Sequence, residues 1–316
     1  MHVLVFDIGG TKTRAGVFDV ARSVLVRSKT VPTPNHLERP QRSFAELRAE
    51  LVGLMDELAA ALDPGRTARR VSVAFAGPVD QAGNVLAAPT VWGTTLTSPC
   101  PLARELEQVW PHARVRVIND VTAAGHRYLS PGRRDFAVIT VSSGIGHKVF
   151  VNGAVALGAN ARGGEIGHLR VDDSSDAPVC ECGGRGHLGA IASGRGVLQR
   201  ARQTTGRTEL TNAELVPAFH DRQSWAVDAV QRGAVALGLG LAAMHLAIGL
   251  ERFILIGGFA TALGEPYRKL VAEAAMTRCW SGATGDWSSW VELGAEDDHS
   301  GLIGAGLASI AEEHAP

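Results

Sequence analysis

The sequence lacks the marks of several specialised protein classes. Four cysteines in 316 residues, of which only Cys180 and Cys182 lie close together, cannot build the disulfide framework of a small secreted domain. The 31 basic and 32 acidic residues nearly cancel and are interspersed, so there is no basic stripe for nucleic acid and no charged tail for an oppositely charged partner. No basic segment followed by an apolar core opens the chain, because His2-Val3-Leu4-Val5-Phe6 runs directly into Asp7, and a cytoplasmic protein is expected. One uncharged apolar stretch, Ala234 to Leu250, spans 17 residues with three glycines and His245. It falls short of the ~20 apolar residues that a bilayer requires, so a helix buried between layers or in a subunit contact is expected. There is no G-x-x-x-x-G-K-[ST] loop, and the first glycine turn is not G-x-G-x-x-G, which sets aside the P-loop and dinucleotide folds.

These absences leave a globular protein that acts on small molecules. With 45% hydrophobic residues the chain can build a large core, and its length favours two domains. Residues 3–8 and 14–19 are apolar or alternating runs separated by Gly9-Gly10-Thr11-Lys12-Thr13, a pattern that predicts two strands joined by a tight turn. After a proline-rich connection at 32–40, Ser43 and Glu46 form a capping-box pattern. Leu47, Leu51, Leu54, Leu58 and Leu62 then repeat at helical spacing as far as Asp63-Pro64-Gly65. A strand over 71–75 ends at Gly77-Pro78, and another over 115–118 ends at Asn119-Asp120. The second half repeats the theme. Strand 136–141 ends in Ser142-Ser143-Gly144-Ile145-Gly146, and Val149-Phe150-Val151 follows with Asn152-Gly153 as a turn. Phe253 to Ile256 ends at Gly257-Gly258, and Gly301 to Gly306 opens a closing helix. The expectation is two α/β domains of related design, 1–125 and 126–316, with the last helix, about 301–316, returning to the first.

A phosphate-binding turn needs backbone N–H groups free to point at oxygen, which Gly9 and Gly10 allow through close approach and positive φ. Thr11 and Thr13 add hydroxyl donors, and Asp7 at the strand end suits a hydrated Mg²⁺ that bridges phosphates. Alone, the same residues also describe a hairpin turn that satisfies only its own backbone. The Ser143 to Gly146 turn and Gly257-Gly258 each follow an apolar strand in the same way, and this recurrence favours a nucleotide. The first two turns would take its phosphates and the third its adenosine end. His168, Cys180, Cys182 and His187 form a second cluster. Cys-x-Cys is followed after four intervening residues by one histidine and preceded by another twelve residues ahead of Cys180. Four thiolate and imidazole ligands with no open position describe a structural Zn²⁺ site, the alternative being two unligated cysteines in a surface loop.

The order and spacing of these pieces resemble the ROK family of sugar kinases, within the superfamily shared by hexokinase, actin and Hsp70. The resemblance covers nearly the whole chain. It rests on Asp7 to Thr13, Ala76-Gly77-Pro78-Val79, Asn119-Asp120 with Ala123-Ala124, Ser143 to Gly146, Gly164-Glu165-Ile166-Gly167-His168, the cysteine cluster from Cys180, and Gly257-Gly258. It implies an α/β fold of two related actin-like, ribonuclease H-like domains flanking a nucleotide and sugar cleft. It also implies transfer of a phosphoryl group from ATP, with Mg²⁺ and a structural Zn²⁺. Asp120 is then the base that takes the proton from the attacking hydroxyl, and Asn119 holds a neighbouring hydroxyl. Without the family, Asn119-Asp120 reads as the cap of a helix over 121–129. Gly77, Pro78, Thr90, Glu165 and His168 fall on the substrate side, and the metal orients the loop that carries Glu165 and His168. The apolar segment at 234–250 points to a homodimer.

Several positions depart from the family pattern. Thr90, in Ala88-Pro89-Thr90, stands where Asn is usual, and Gly189 stands where Glu is usual. Both of those residues normally hold ring hydroxyls, and a glycine side chain can hold none. His187 stands where the family has Cys and remains an acceptable zinc ligand. His147-Lys148 replace small glycines after the second turn, which leaves open whether they contact phosphate, narrow the cleft or sit solvated in a turn. The acceptor expected from these departures is a modified hexose-like molecule, an aminosugar or a C7 cyclitol of valiolone type phosphorylated at its exocyclic primary hydroxyl. An ordinary glucokinase is the alternative. A sugar-responsive repressor is disfavoured because only six residues precede Asp7 and there is no basic patch.

Overall fold

The computed structural model describes every residue except 94, 95, 97, 160, 162, 281–284 and 312–316, so the last five residues of the expected closing helix lie outside the described residues. The chain divides into two compact units. Unit 1 is Met1–Ser130 with Leu157–Arg162 and Asp297–Pro316, and unit 2 is Pro131–Ala156 with Gly163–Glu296.

The sheet of unit 1 has the order β3-β2-β1-β4-β5, built from β1 (His2–Ile8), β2 (Lys12–Asp19), β3 (Val24–Pro32), β4 (Arg70–Phe75) and β5 (Arg114–Asn119). The first three strands are antiparallel, whereas β4 and β5 run parallel to β1. Side chains alternate along β1. Leu4, Phe6 and Ile8 join Leu47, Leu51 and Met55 of helix α1 (Phe44–Leu62), while Val3 and Val5 join Ala123, Leu302 and Ala305 on the opposite face. Helices cover both faces, which is why the central strand reads as one apolar run. Asp7 takes the next place on the Val3–Val5 face.

Helix α1 starts where the capping box requires, with the Ser43 hydroxyl accepting from the Glu46 N–H and the Glu46 carboxylate accepting from the Ser43 N–H. Such a cap contributes about 1 kcal/mol. Leu51 is fully buried, so Leu51→Ala would cost about 2–5 kcal/mol. Short helices α2 (Pro89–Trp92), α3 (Leu102–Val109) and α4 (Asp120–His126) complete this part of the unit.

Unit 2 repeats the plan. Strands β6 (Phe136–Val141), β7 (Ile145–Val151) and β8 (Ala154–Val155) are antiparallel, and β9 (Phe253–Ile256) and β10 (Val291–Leu293) add in parallel in the order β10-β9-β6-β7-β8. Strand order and sense match those of unit 1. Between the strands lie a 3₁₀ turn at Ile166–His168 and helices α5 (Leu188–Ala192), α6 (Gly194–Thr205), α7 (Asn212–His220), α8 (Ser224–Ile248), α9 (Gly258–Met276) and α10 (Trp287–Trp290). The apolar segment read from the sequence belongs to α8, a helix of 25 residues that begins ten residues earlier, at Ser224. By length and composition α8 could cross a membrane, yet half of its most apolar window is packed inside the protein. Ala229, Val230, Leu237 and Leu241 join the core of unit 2.

Helix α11 (Ser300–Ala311) belongs to unit 1, where it lies against α4 and β1. A Cβ at Gly304 would stand 1.7 Å from the Ala123 carbonyl oxygen, so only glycine permits this crossing. Arg70 from β4 donates to the Ser309 carbonyl at 2.9 Å and Arg116 from β5 donates to that of Ala308. Two cations thus close the carboxyl end of the helix, where its dipole favours positive charge.

Candidate functional site

In unit 1 the polar residues flagged from the sequence leave the sheet at one edge. The register aligns Ile8 with Phe75 and Phe75 with Asn119, so Gly9-Gly10, Ala76-Gly77-Pro78 and Asn119-Asp120 emerge side by side at the carboxyl ends of parallel strands. Open α/β sheets bind ligands at such edges. Gly10 lies against Thr90 at the start of α2, where an added Cβ would be 3.0 Å from the threonine Cβ. Neither Gly9 nor Gly10 has positive φ, contrary to the expectation, so these glycines serve close approach. Gly77 does have it, at 147°, and a Cβ there would stand 2.2 Å from the Ala87 carbonyl oxygen.

Thr13 also differs from the expectation. It is fully buried, and its hydroxyl pairs with that of Thr33 at 2.9 Å while Thr33 donates to the Gly9 carbonyl at 2.8 Å. The Thr33 proton is committed to Gly9, so Thr13 donates to Thr33 and its side chain braces the turn from below. Thr11 and Lys12 are exposed at the turn itself.

Asp7 is only 14% exposed and pairs with Arg14, whose other terminal nitrogen reaches Asp298 at 2.7 Å. Burial pushes the Asp7 carboxyl above its ordinary value. Arg14 works against that rise and the Asp298 charge adds to it. Gly301 of α11 packs against the carboxylate, where a Cβ would be 2.6 Å from its carbon. Arg14, Asp298 and Gly301 escaped the sequence reading. The hairpin register, which sets Arg14 opposite Asp7, was the signal available for the first of them.

Asn119 fulfils the cap reading and more. Its Oδ1 accepts from the Val121 and Thr122 N–H groups at 3.1 and 3.0 Å, and its Nδ2 donates to the Gly77 carbonyl at 2.9 Å and to Asp120 Oδ1 at 2.8 Å. The Val121 N–H also reaches Asp120 Oδ1, at 2.9 Å. Both amide protons of Asn119 are therefore committed, one of them to the candidate base.

In unit 2 the ends of β6 and β9 are in register at Thr140 and Ile256. Gly257, with φ at 98°, passes so close to β6 that a Cβ would be 2.7 Å from the Val141 carbonyl oxygen. The Ser143-Gly144 turn, Gly146 at the head of β7 and Gly257-Gly258 at the head of α9 are thus neighbours. The start of α6 joins them, with the Gly194 N–H bonded to the Ser142 carbonyl at 2.8 Å and Arg195 Nε bonded to the Ser143 carbonyl at 2.6 Å. Arg195 also pairs with Glu181, between the two clustered cysteines, and was not read from the sequence.

The proposed metal ligands converge. The ligand atoms of His168, Cys180, Cys182 and His187 all lie within 4.8 Å of one another, with Cys182 Sγ 3.2 Å and Cys180 Sγ 3.8 Å from histidine Nδ1 atoms. Tetrahedral Zn²⁺ with bonds of about 2.0–2.3 Å needs two-thiolate, two-imidazole donors gathered in this way, so the chemistry and spacing of the set fit the ion. Burial raises the free Cys180 thiol, the Cys182 N–H bond works against that rise and the Cys182 thiol adds to it; a bound cation would reverse the rise. A cavity of about 270 Å³ connects Gly144, His168, Cys180 and Arg195 and includes Gly189 in its wall. A larger one, about 680 Å³, is lined by Asp172, Arg200, Asp228, Arg232 and Arg278, with Val235, Ala236 and Leu239 of the apolar segment, and touches none of the candidate catalytic, binding or metal residues.

Residues 3–312 match the ROK family. The chain belongs to the ROK family. This ROK protein is 37% identical over 340 aligned positions to a C(7)-cyclitol 7-kinase of Streptomyces hygroscopicus subsp. limoneus, covering 99% of this chain and 95% of the relative. It is 30% identical to a 2-epi-5-epi-valiolone 7-kinase of an Actinoplanes species, over 99% and 94% of the two chains. Its fold matches that of a ROK family glucokinase from Streptomyces griseus, solved with glucose and AMPPNP, at a TM-score of 0.75 and 25% identity over 98% and 99% of the chains. The fold class is therefore that of the actin-like ROK kinases.

Proposed function

We propose that this ROK protein is an ATP-dependent kinase that phosphorylates the exocyclic primary hydroxyl of a modified hexose-like acceptor, a C7 cyclitol of valiolone type. The observation that carries this reading is the full-length 37% identity to a kinase named for such an acceptor. Thr90 and Gly189 support it, since both lack the side chains expected of a glucose site, and an aminosugar is the second acceptor class.

In the reaction the acceptor oxygen forms a bond to the γ-phosphorus as the bond from that phosphorus to the bridging oxygen of ADP breaks. Asp120 takes the hydroxyl proton. Asn119 orients Asp120, and Gly77, Pro78 and Thr90 border the acceptor on the same edge of unit 1. Asp7 with Gly9, Gly10, Thr11 and Lys12 receives the phosphates, and bound Mg²⁺ supplies charge neutralisation there. By the family resemblance Glu165 and His168 would contact the acceptor, Ser143, Gly144 and Gly146 the phosphates, and Gly257 and Gly258 the adenosine. A Zn²⁺ held by His168, Cys180, Cys182 and His187 would brace the acceptor loop. The exposed Leu246, Ile248, Met276 and Trp280 support a homodimer; the cytoplasm is the compartment proposed for it.

Turnover compared across a valiolone-type cyclitol, N-acetylmannosamine and glucose tests the acceptor, and glucose turned over as well as any analogue would sink it. Asp120→Asn keeps the oxygen that accepts from Asn119 and Val121 but removes the base. It is expected to lower kcat by about 10²–10⁴-fold with ATP affinity and melting temperature unchanged. Loss of ATP binding instead would remove Asp120 from that role.

A further inference from the structure

His147 and Lys148 have no part in the assignments above, and their surroundings rule out a solvated turn. Both lie on β7, opposite Ile139 and Val138, and they are 8% and 3% exposed. Strand β8 pairs with β7 only at Phe150 and Val151, and the segment 163–166 is bonded to the strand at 147–148. Lys148 Nζ donates to the Gly163 carbonyl at 2.7 Å, and His147 Nδ1 accepts from the Ile166 N–H at 3.2 Å. These bonds bracket Gly164 and Glu165. Gly164 has φ at 103°, and a Cβ there would stand 2.2 Å from Lys148 Nζ, so the segment is pressed onto the lysine. A buried ammonium is costly unless it is bonded, and here one of its bonds goes to the backbone beside Glu165.

We infer that Lys148, with His147, is a positioning residue that fixes the Gly163–Ile166 segment and so sets where Glu165 meets the acceptor. This rests on the proposed kinase reading, in which Glu165 contacts the acceptor. The two side chains take the place of small residues and act on the acceptor loop, leaving phosphate to the turns. A family member with glycines at these positions would hold the same segment by other means, so the pair also tunes which acceptor fits.

The test uses the intact protein with Lys148→Met, which keeps the length and removes the charge, and Gly164→Ala, which keeps the lysine and displaces the segment. Two readouts are needed: steady-state KM and kcat for acceptor and for ATP, and hydrogen exchange of peptides covering 163–168. In folded Lys148→Met the acceptor KM is expected to rise about 10-fold, the loss of one charge-assisted hydrogen bond. The ATP KM should stay within about twofold and exchange at 163–168 should accelerate. Equal changes in both KM values, or unchanged exchange, would overturn the inference. If Lys148→Met does not fold, Gly164→Ala must show the same split. If the unaltered protein phosphorylates none of the acceptors, the kinase reading has failed, and the exchange data still decide whether Lys148 holds the segment.

Discussion

Asn119→Asp separates two roles that a larger change would confuse. Aspartate caps helices as well as asparagine does, so its Oδ1 keeps the Val121 and Thr122 N–H bonds and α4 should be unaffected. What disappears is the pair of donations from Nδ2, to the Gly77 carbonyl at 2.9 Å and to Asp120 at 2.8 Å. The second is a bond to a charged group, worth about 1.5–3 kcal/mol, and a like charge now takes its place. If that bond holds Asp120 in line for the acceptor hydroxyl, kcat should fall by about 10- to 150-fold at one tenfold per 1.36 kcal/mol. Because both amide protons are already committed, KM for the acceptor and for ATP should change little. Initial rates across both substrates, with a melting curve, provide the measurement. An acceptor KM that rises while kcat holds would refute the reasoning. It would mean that the amide turns to a substrate hydroxyl, as the family resemblance alone implied.

Two further outcomes are expected. Burial, aided by neighbouring Arg116 and Lys148 respectively, lowers His126 and His147 to about 4, below the ordinary 6.5. The unfolded chain therefore takes up these protons first, so their contribution is whole above about pH 6.5 and is lost as pH falls towards 4. Between pH 7 and pH 5 the loss is about 2 kcal/mol per histidine, read as a falling urea midpoint, and His126→Gln should shrink it; a midpoint that rises towards pH 5 would contradict the burial argument. Chelation or Cys182→Ser should release one Zn²⁺ per chain, lower the melting temperature and raise the acceptor KM more than the ATP KM. A purified chain with no zinc and no response to chelator would dismiss the metal.

What could be read in advance followed the chemistry of short segments. Strands ending in glycine or Asn-Asp, the Ser43–Glu46 box and the His/Cys cluster are local patterns, and the fold put each where its pattern pointed. Strand β3 carries no such pattern because it is an edge strand, mostly exposed and paired only with β2, so nothing in Val24–Pro32 needs to be apolar. The Arg14–Asp298 pair joins residues 284 apart and depends on α11 being set beside β1. Thr13 looked like a ligand contact because a hydroxyl in a glycine turn is ambiguous until the partner strand supplies Thr33. His147 and Lys148 could not be placed from sequence either, since their meaning comes from a loop that crosses the edge of β7 fifteen to nineteen residues later.

The contact of α11 with Asp7 and with α4 bears on how the molecule is made. During synthesis the ribosome delivers residues 300–311 only after the whole of unit 2 has emerged. Until then Val3, Val5 and Ala123 lack the cover that Leu302 and Ala305 provide, and Asp7 lacks one wall. The turn proposed to take phosphate, although encoded in the opening residues, is thus completed last, so a nascent or truncated chain should bind no nucleotide through it.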